Sequence, residues 1–131
     1  MPLVTGKYVG SQNISKGGVN LTQNFAAMAS AQQFFSLSLD TPGLPKLTWL
    51  VVHFTGGVPI TLIPEIAVRR GDLVLGVAAY FFMPVSAGVL TVPGQPTVFE
   101  FNIPCQAMRL QLVTPAGAGA PNVSTVLMAS G

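Results

Sequence analysis

The sequence predicts an all-β chain: a single antiparallel β-sandwich of jelly-roll type with an extended N-terminal arm. Three observations carry that reading. Helix signals, an apolar stripe at 3.6-residue spacing with its capping residues, are almost absent. Short segments of strict apolar and polar alternation recur instead. Turn clusters rich in Gly, Pro, Asn and Asp separate them at intervals of roughly 8 to 12 residues, the spacing of sandwiches and jelly rolls.

Residues 1–33 form the arm or edge segment. They hold Gly6, Gly10, Gly17 and Gly18 with many amides, and only Val4, Tyr8-Val9 and Leu21 to Phe25 as short apolar anchors, enough for one or two short strands. Residues 34–131 form the sandwich. Phe35 to Leu39 alternates and closes on the turn Asp40-Thr41-Pro42-Gly43. Val98 to Ile103 places Phe99, Phe101 and Ile103 on one face and Glu100 and Asn102 on the other, and Met108 to Leu112 repeats the pattern. More continuous apolar runs, Leu47 to Phe54, Ile60 to Val68 with Pro64 inside, and Leu73 to Met83, read as strands covered on both faces, in the sandwich interior or beneath a partner subunit. Gly56-Gly57, Arg70-Gly71-Asp72, Ser86 to Gly88 and Pro93-Gly94-Gln95-Pro96 supply turn chemistry. Ala116 to Pro121 reads as a flexible turn, and Val123 to Met128 as a short closing strand.

The charge inventory narrows the function. Of 131 residues only 8% are charged, six basic and four acidic, against 50% hydrophobic. Soluble domains average about 25% charged, so the interior is ordinary and the exterior is not. Hydroxyl and amide side chains fill the gap. A monomer so poor in charge, at net +2, is weakly protected against association, which points to an obligate oligomer or a docked component. Disorder is excluded by the hydrophobicity. Nucleic-acid binding by counterion release lacks its clustered cations, since only Arg69 and Arg70 are adjacent. Leu73 to Val92 is uncharged and about as long as a membrane span, yet Pro84 and Gly88 interrupt it and no aromatic belt flanks it, so no membrane partner is expected. Met1 to Lys7 shows no basic region followed by an apolar core, so no signal peptide is expected.

Catalytic groups are scarce, and no enzyme, cofactor or metal is expected. His53, the single histidine, would need a carboxylate and a nucleophile to serve as a general base; it reads as a strand-end histidine hydrogen-bonded at a surface or interface, where it could respond to pH. Zinc needs more N or S ligands than His53 and the lone Cys105 provide. Asp40, Glu65, Asp72 and Glu100 read as isolated surface carboxylates pairing with Arg69, Arg70 or Arg109 rather than as a glycosidase pair. Arg70-Gly71-Asp72 spells an adhesion tripeptide that a hairpin turn explains equally, and the sequons at Asn13, Asn20 and Asn122 matter only in a secretory pathway. Trp49, Tyr8 and Tyr80 are the candidates for stacking on a sugar ring, but Trp49 sits within an apolar run and reads as a core or interface residue.

The C-terminal order of Phe99 to Pro104, Met108 to Leu112, the small-residue loop Pro115 to Pro121 and the closing strand Val123 to Ser130, with the polar arm and the charge deficit, resembles the small cement or decoration proteins of tailed bacteriophages. It is similar also to the single jelly-roll minor capsid proteins of other viruses. That resemblance implies a structural virion protein, made in the host cytoplasm and placed on the capsid surface, whose homotrimers clamp neighbouring major capsid protein subunits. In such a trimer Leu73 to Met83 would lie near the axis. It transfers no functional residue. The alternative is a lectin-like carbohydrate- or receptor-binding module of a virion or fibre, which requires Trp49 or Tyr80 exposed; the decoration reading requires them buried.

Overall fold

The computed structural model describes residues 12–15, 18–55, 58–67 and 82–131. Within them the chain is all strand, turn and loop: β1 Gln12–Ser15, β2 Gly18–Phe25, β3 Gln33–Phe35, β4 Leu39–Asp40, β5 Lys46–Thr55, β6 Thr61–Ala67, β7 Met83–Pro84, β8 Val89–Leu90, β9 Pro96–Asn102, β10 Ala107–Val113 and β11 Asn122–Ser130. One sheet runs β1-β2-β11-β5-β9 and the other β3-β10-β6-β7, with β4 on β10 and β8 on β6. All pairings between these strands are antiparallel. The chain changes sheet at six of the ten connections between described strands, so most strands adjacent in a sheet are distant in sequence. This is a β-sandwich with the strand order of a jelly roll.

Alternation builds the core. Leu47, Trp49 and Val51 of β5, Phe99 of β9, Met108, Leu110 and Leu112 of β10, and Val123, Leu127 and Ala129 of β11 meet between the sheets. Trp49 ties the layers: its indole N–H donates to the Arg109 carbonyl of the opposite sheet at 2.9 Å, and its ring meets Phe101 edge-on with centroids 5.9 Å apart. The alternations expected over Val98 to Ile103 and Met108 to Leu112 are present, with Glu100 and Asn102 exposed. Both Pro-Gly turns form as well. Leu44 N–H donates to Thr41 O and Gln95 N–H to Val92 O, with Gly43 at φ 76° and Gly94 at φ 84°, values that the third position of a type II turn requires and glycine reaches without strain.

Several segments differ from expectation for local reasons. The strand expected over Phe35 to Leu39 is split into β3 and β4, because Leu110 N–H bonds the Ser36 hydroxyl and Leu37 N–H turns to the Gln23 side chain. The split leaves Phe35 exposed while Phe34 packs against the core. Pro64 is tolerated inside β6 because its carbonyl, and so its missing N–H, points into the gap between β7 and β8, where Val85 N–H alone reaches it. β2 and β11 are not marginal: β11 pairs with β2 over eight residues and with β5 on its other side. Ala116 to Pro121 is pinned rather than loose, since Ala118 is fully buried and bonded to Ser30, and Met28 N–H donates to Pro121 O. The expected strand Leu73 to Met83 lies outside the described residues except for Phe82 and Met83, as do Gly56-Gly57 and Arg70-Gly71-Asp72.

Candidate interaction surface

The outer face of the five-stranded sheet is ordered by register. Val98, Leu50, Val126 and Thr22 line up across β9, β5, β11 and β2, and beside them run Pro96, Val52, Ser124 and Asn24. The run Leu47 to Phe54, expected to be covered on both faces, is sealed only on the inner one. Outward, Leu50 and Val52 are half-buried and Phe54 is 62% exposed, with Val98 at 52%. Leu90 of β8, on the other sheet, and Val92 between β8 and β9 are also exposed, at 61% and 52%. Toward the opposite end the same face turns polar, as an open cleft lined by Lys46, Thr48, Glu100, Asn102 and Ser130. Pro96 and Glu100 blunt the β9 edge against unwanted strand pairing, so what this sheet offers is its face rather than its edge.

The six-stranded sheet carries the charged cluster. Arg109 of β10 stands across from Glu65 of β6 in the ladder, and its Nε donates to Glu65 Oε1 at 2.6 Å. The guanidinium lies 4.3 Å from the Phe35 ring on the β3 side and 4.2 Å from the Phe82 ring next to β7. Three neighbouring strands and the residue leading into a fourth are thus joined by one ion pair and two cation–π contacts. The expected pairing of an acid with Arg109 is realised by Glu65, which this pairing allows to sink to 8% side-chain exposure.

Two buried polar pairs occupy other places in the sandwich. His53 is fully buried rather than at a surface; its Nδ1 bonds the Thr91 hydroxyl at 2.8 Å, that oxygen also accepts Ile60 N–H, and Nε2 has no partner. No described carboxylate bonds His53, so the general-base arrangement is not assembled among the described residues. Cys105 bonds Thr41 through its sulfur and is free of disulfides. Burial pushes its thiol pKa up, with the bonds from Thr41 and Ala107 opposing. Asn122, one of the sequons, is spent on structure: its amide nitrogen donates to Thr55 Oγ1 and its oxygen accepts Ala27 N–H. Asp40 lies on β4 and Asn20 on β2. Asp72, Arg69, Arg70, Tyr8 and Tyr80 lie outside the described residues, and Asn13 lies on β1. Among the described residues no group of His, Cys, Asp and Glu could hold a metal, and no helix is long and apolar enough to cross a membrane.

Neither the Phe54 and Val98 exposure nor the stacked Arg109 was singled out by sequence. The alternation of Met108 to Leu112 did turn Arg109 outward, but its aromatic neighbours, Phe35 and Phe82, lie some 74 and 27 residues away in the chain. No protein-family model and no curated protein matches the chain. Among solved structures, it is similar to a protein described as belonging to Bacillus endospore appendages, a family of disulfide-linked pili, with a TM-score of 0.51 and 12% identity over 92% of this chain and 91% of that one. At that identity the likeness concerns the fold. Weaker similarities are to a protein of infectious bursal disease virus, Gx strain (TM-score 0.46, 17% identity, 99% of this chain and 37% of that one). Another is to the K3 cleaved adhesin domain of Lys-gingipain from Porphyromonas gingivalis (TM-score 0.39, 10% identity, 86% and 74%). Both scores are too low to argue a common topology.

Proposed function

We propose that the chain is a structural virion protein of the decoration or cement kind, which binds the outside of a capsid shell and stabilises contacts between major capsid protein subunits, its copies grouped as a homotrimer. The observation that carries this reading is the outward apolar band of half-buried Leu50 and Val52 with exposed Phe54 and Val98, on a chain with almost no charge. Covering each such side chain contributes about 1.5–3 kcal/mol at most, and a shell repeats the contact many times. The apolar end of this face, away from Lys46 and Glu100, suits burial, because desolvating isolated charges cancels much of their attraction. The lectin-like alternative loses its main platform, since Trp49 is fully buried.

The shared fold with a pilus protein favours a second reading, a subunit of a fibre. Such a fibre could not be linked through Cys105, which is buried. Co-sedimentation with capsids lacking the protein, followed by electron microscopy, separates the readings. Saturable binding to shells that then resist heat better, abolished in a folded Leu50→Lys/Val98→Lys variant, is the expected result. Filaments from the protein alone with no shell binding would reverse the order.

A further inference from the structure

We propose that the Nη edge of Arg109 is a receptor for one carboxylate, supplied by an aspartate or glutamate side chain of a neighbouring protein subunit. The guanidinium has already used one of its donors. Its Nε–H is taken by Glu65, and no Nη hydrogen bonds an acceptor among the described residues. The side chain as a whole keeps 27% of its surface exposed.

The surroundings select the ligand. Phe35 and Phe82 stand against the guanidinium at 4.3 and 4.2 Å, leaving approach in the plane of the group, the geometry in which a planar carboxylate accepts two parallel N–H bonds. The same contacts fix the side chain before any ligand arrives, so little rotamer entropy remains to be lost on binding. Glu65 already balances the formal charge. A free polyanion such as phosphate therefore gains little and meets repulsion from Glu65, whereas a single carboxylate pressed into place by a larger apolar contact gains the fork without needing long-range attraction. A protein neighbour supplies that larger contact.

The isolated protein suffices for the test, so its outcome is separate from that of the capsid reading. Arg109 side-chain nitrogens are followed by NMR during titration with N-acetyl-glutamate methylamide, whose only carboxylate is the side chain, and in parallel with inorganic phosphate and N-acetylneuraminate. The expected result is a saturable shift of the Nη signals with the blocked glutamate, in the millimolar range, lost in a folded Arg109→Lys variant that keeps the charge but not the fork. Glu65→Gln tightens binding several-fold, because it removes the competing negative charge; a purely structural Glu65 would give the opposite sign. Should Arg109→Lys not fold, Phe35→Leu serves instead and weakens binding several-fold by loosening the guanidinium.

No saturation in the wild type, or unchanged affinity in both Arg109→Lys and Phe35→Leu, overturns the site. Phosphate binding as tightly as the blocked glutamate overturns the carboxylate assignment. N-acetylneuraminate binding tighter by about tenfold, near 1.4 kcal/mol, overturns the protein source in favour of a sugar acid.

Discussion

On the inner face of β5, Leu47, Trp49, Val51 and His53 are sealed from solvent, while one residue out of step Thr48, Leu50, Val52 and Phe54 pass from half-buried to exposed. Apart from Thr48, the outer set is as apolar as the inner. Only the inner set meets a second sheet. A continuous apolar run therefore records two separate burials: one completed by the fold, the other left for whatever covers the sheet. The charge deficit belongs to the second, since a surface that stays wet has no reason to avoid Lys and Glu in favour of Leu, Val and Phe.

That contrast can be broken most severely from the inside. Trp49→Ala removes the ring that meets Phe101 and the bond to the Arg109 carbonyl. It should cost about 3–5 kcal/mol in urea unfolding; a loss near zero would mean that the sheets are not held by this contact. Thr91→Val comes next, because the hydroxyl serves both His53 and Ile60 N–H. Stranding those buried groups should cost about 1–3 kcal/mol, and a neutral variant would show that water replaces the hydroxyl.

Cys105→Ala should cost about 1 kcal/mol at neutral pH, with a shape in pH that identifies its cause. Because burial raises the folded thiol pKa, the unfolded thiol ionises first as pH climbs, so the stability contributed below the ordinary thiol range is lost above it. Wild type should therefore lose stability more steeply than Cys105→Ala under alkaline conditions. Parallel curves would remove the buried thiol as the source. Phe54→Ser, the least disruptive change to the monomer, should move its stability by no more than about 0.5 kcal/mol while lowering self-association or shell binding in light scattering. A large loss of monomer stability would place Phe54 in the core instead and erase the contrast between the two faces.

The sequence reached the fold class because periodicity and turn chemistry are local. Phe99, Phe101, Met108, Leu110 and Leu112 fall on the expected faces, and both Pro-Gly turns form where their residues require them. It did not reveal the break at Ser36, because the competing acceptors and donors come from Leu110 and Gln23 on other strands. His53 was placed at a surface for a related reason: its position near the end of an apolar run looks exposed, but alternation puts it in step with Trp49 and Val51, facing Thr91. Arg109 was legible as an outward residue and illegible as a stacked one.

By itself the sequence determined that this chain forms sheets with apolar inner faces and that its exterior is nearly uncharged, both properties of single residues and their near neighbours. Tertiary structure alone decided which apolar residues find a partner within the chain. It set Leu50 and Val98 side by side on an open face, and it brought Phe35, Glu65 and Phe82 around one guanidinium. In a jelly roll the strands that touch are far apart in sequence, so no local pattern records their meeting.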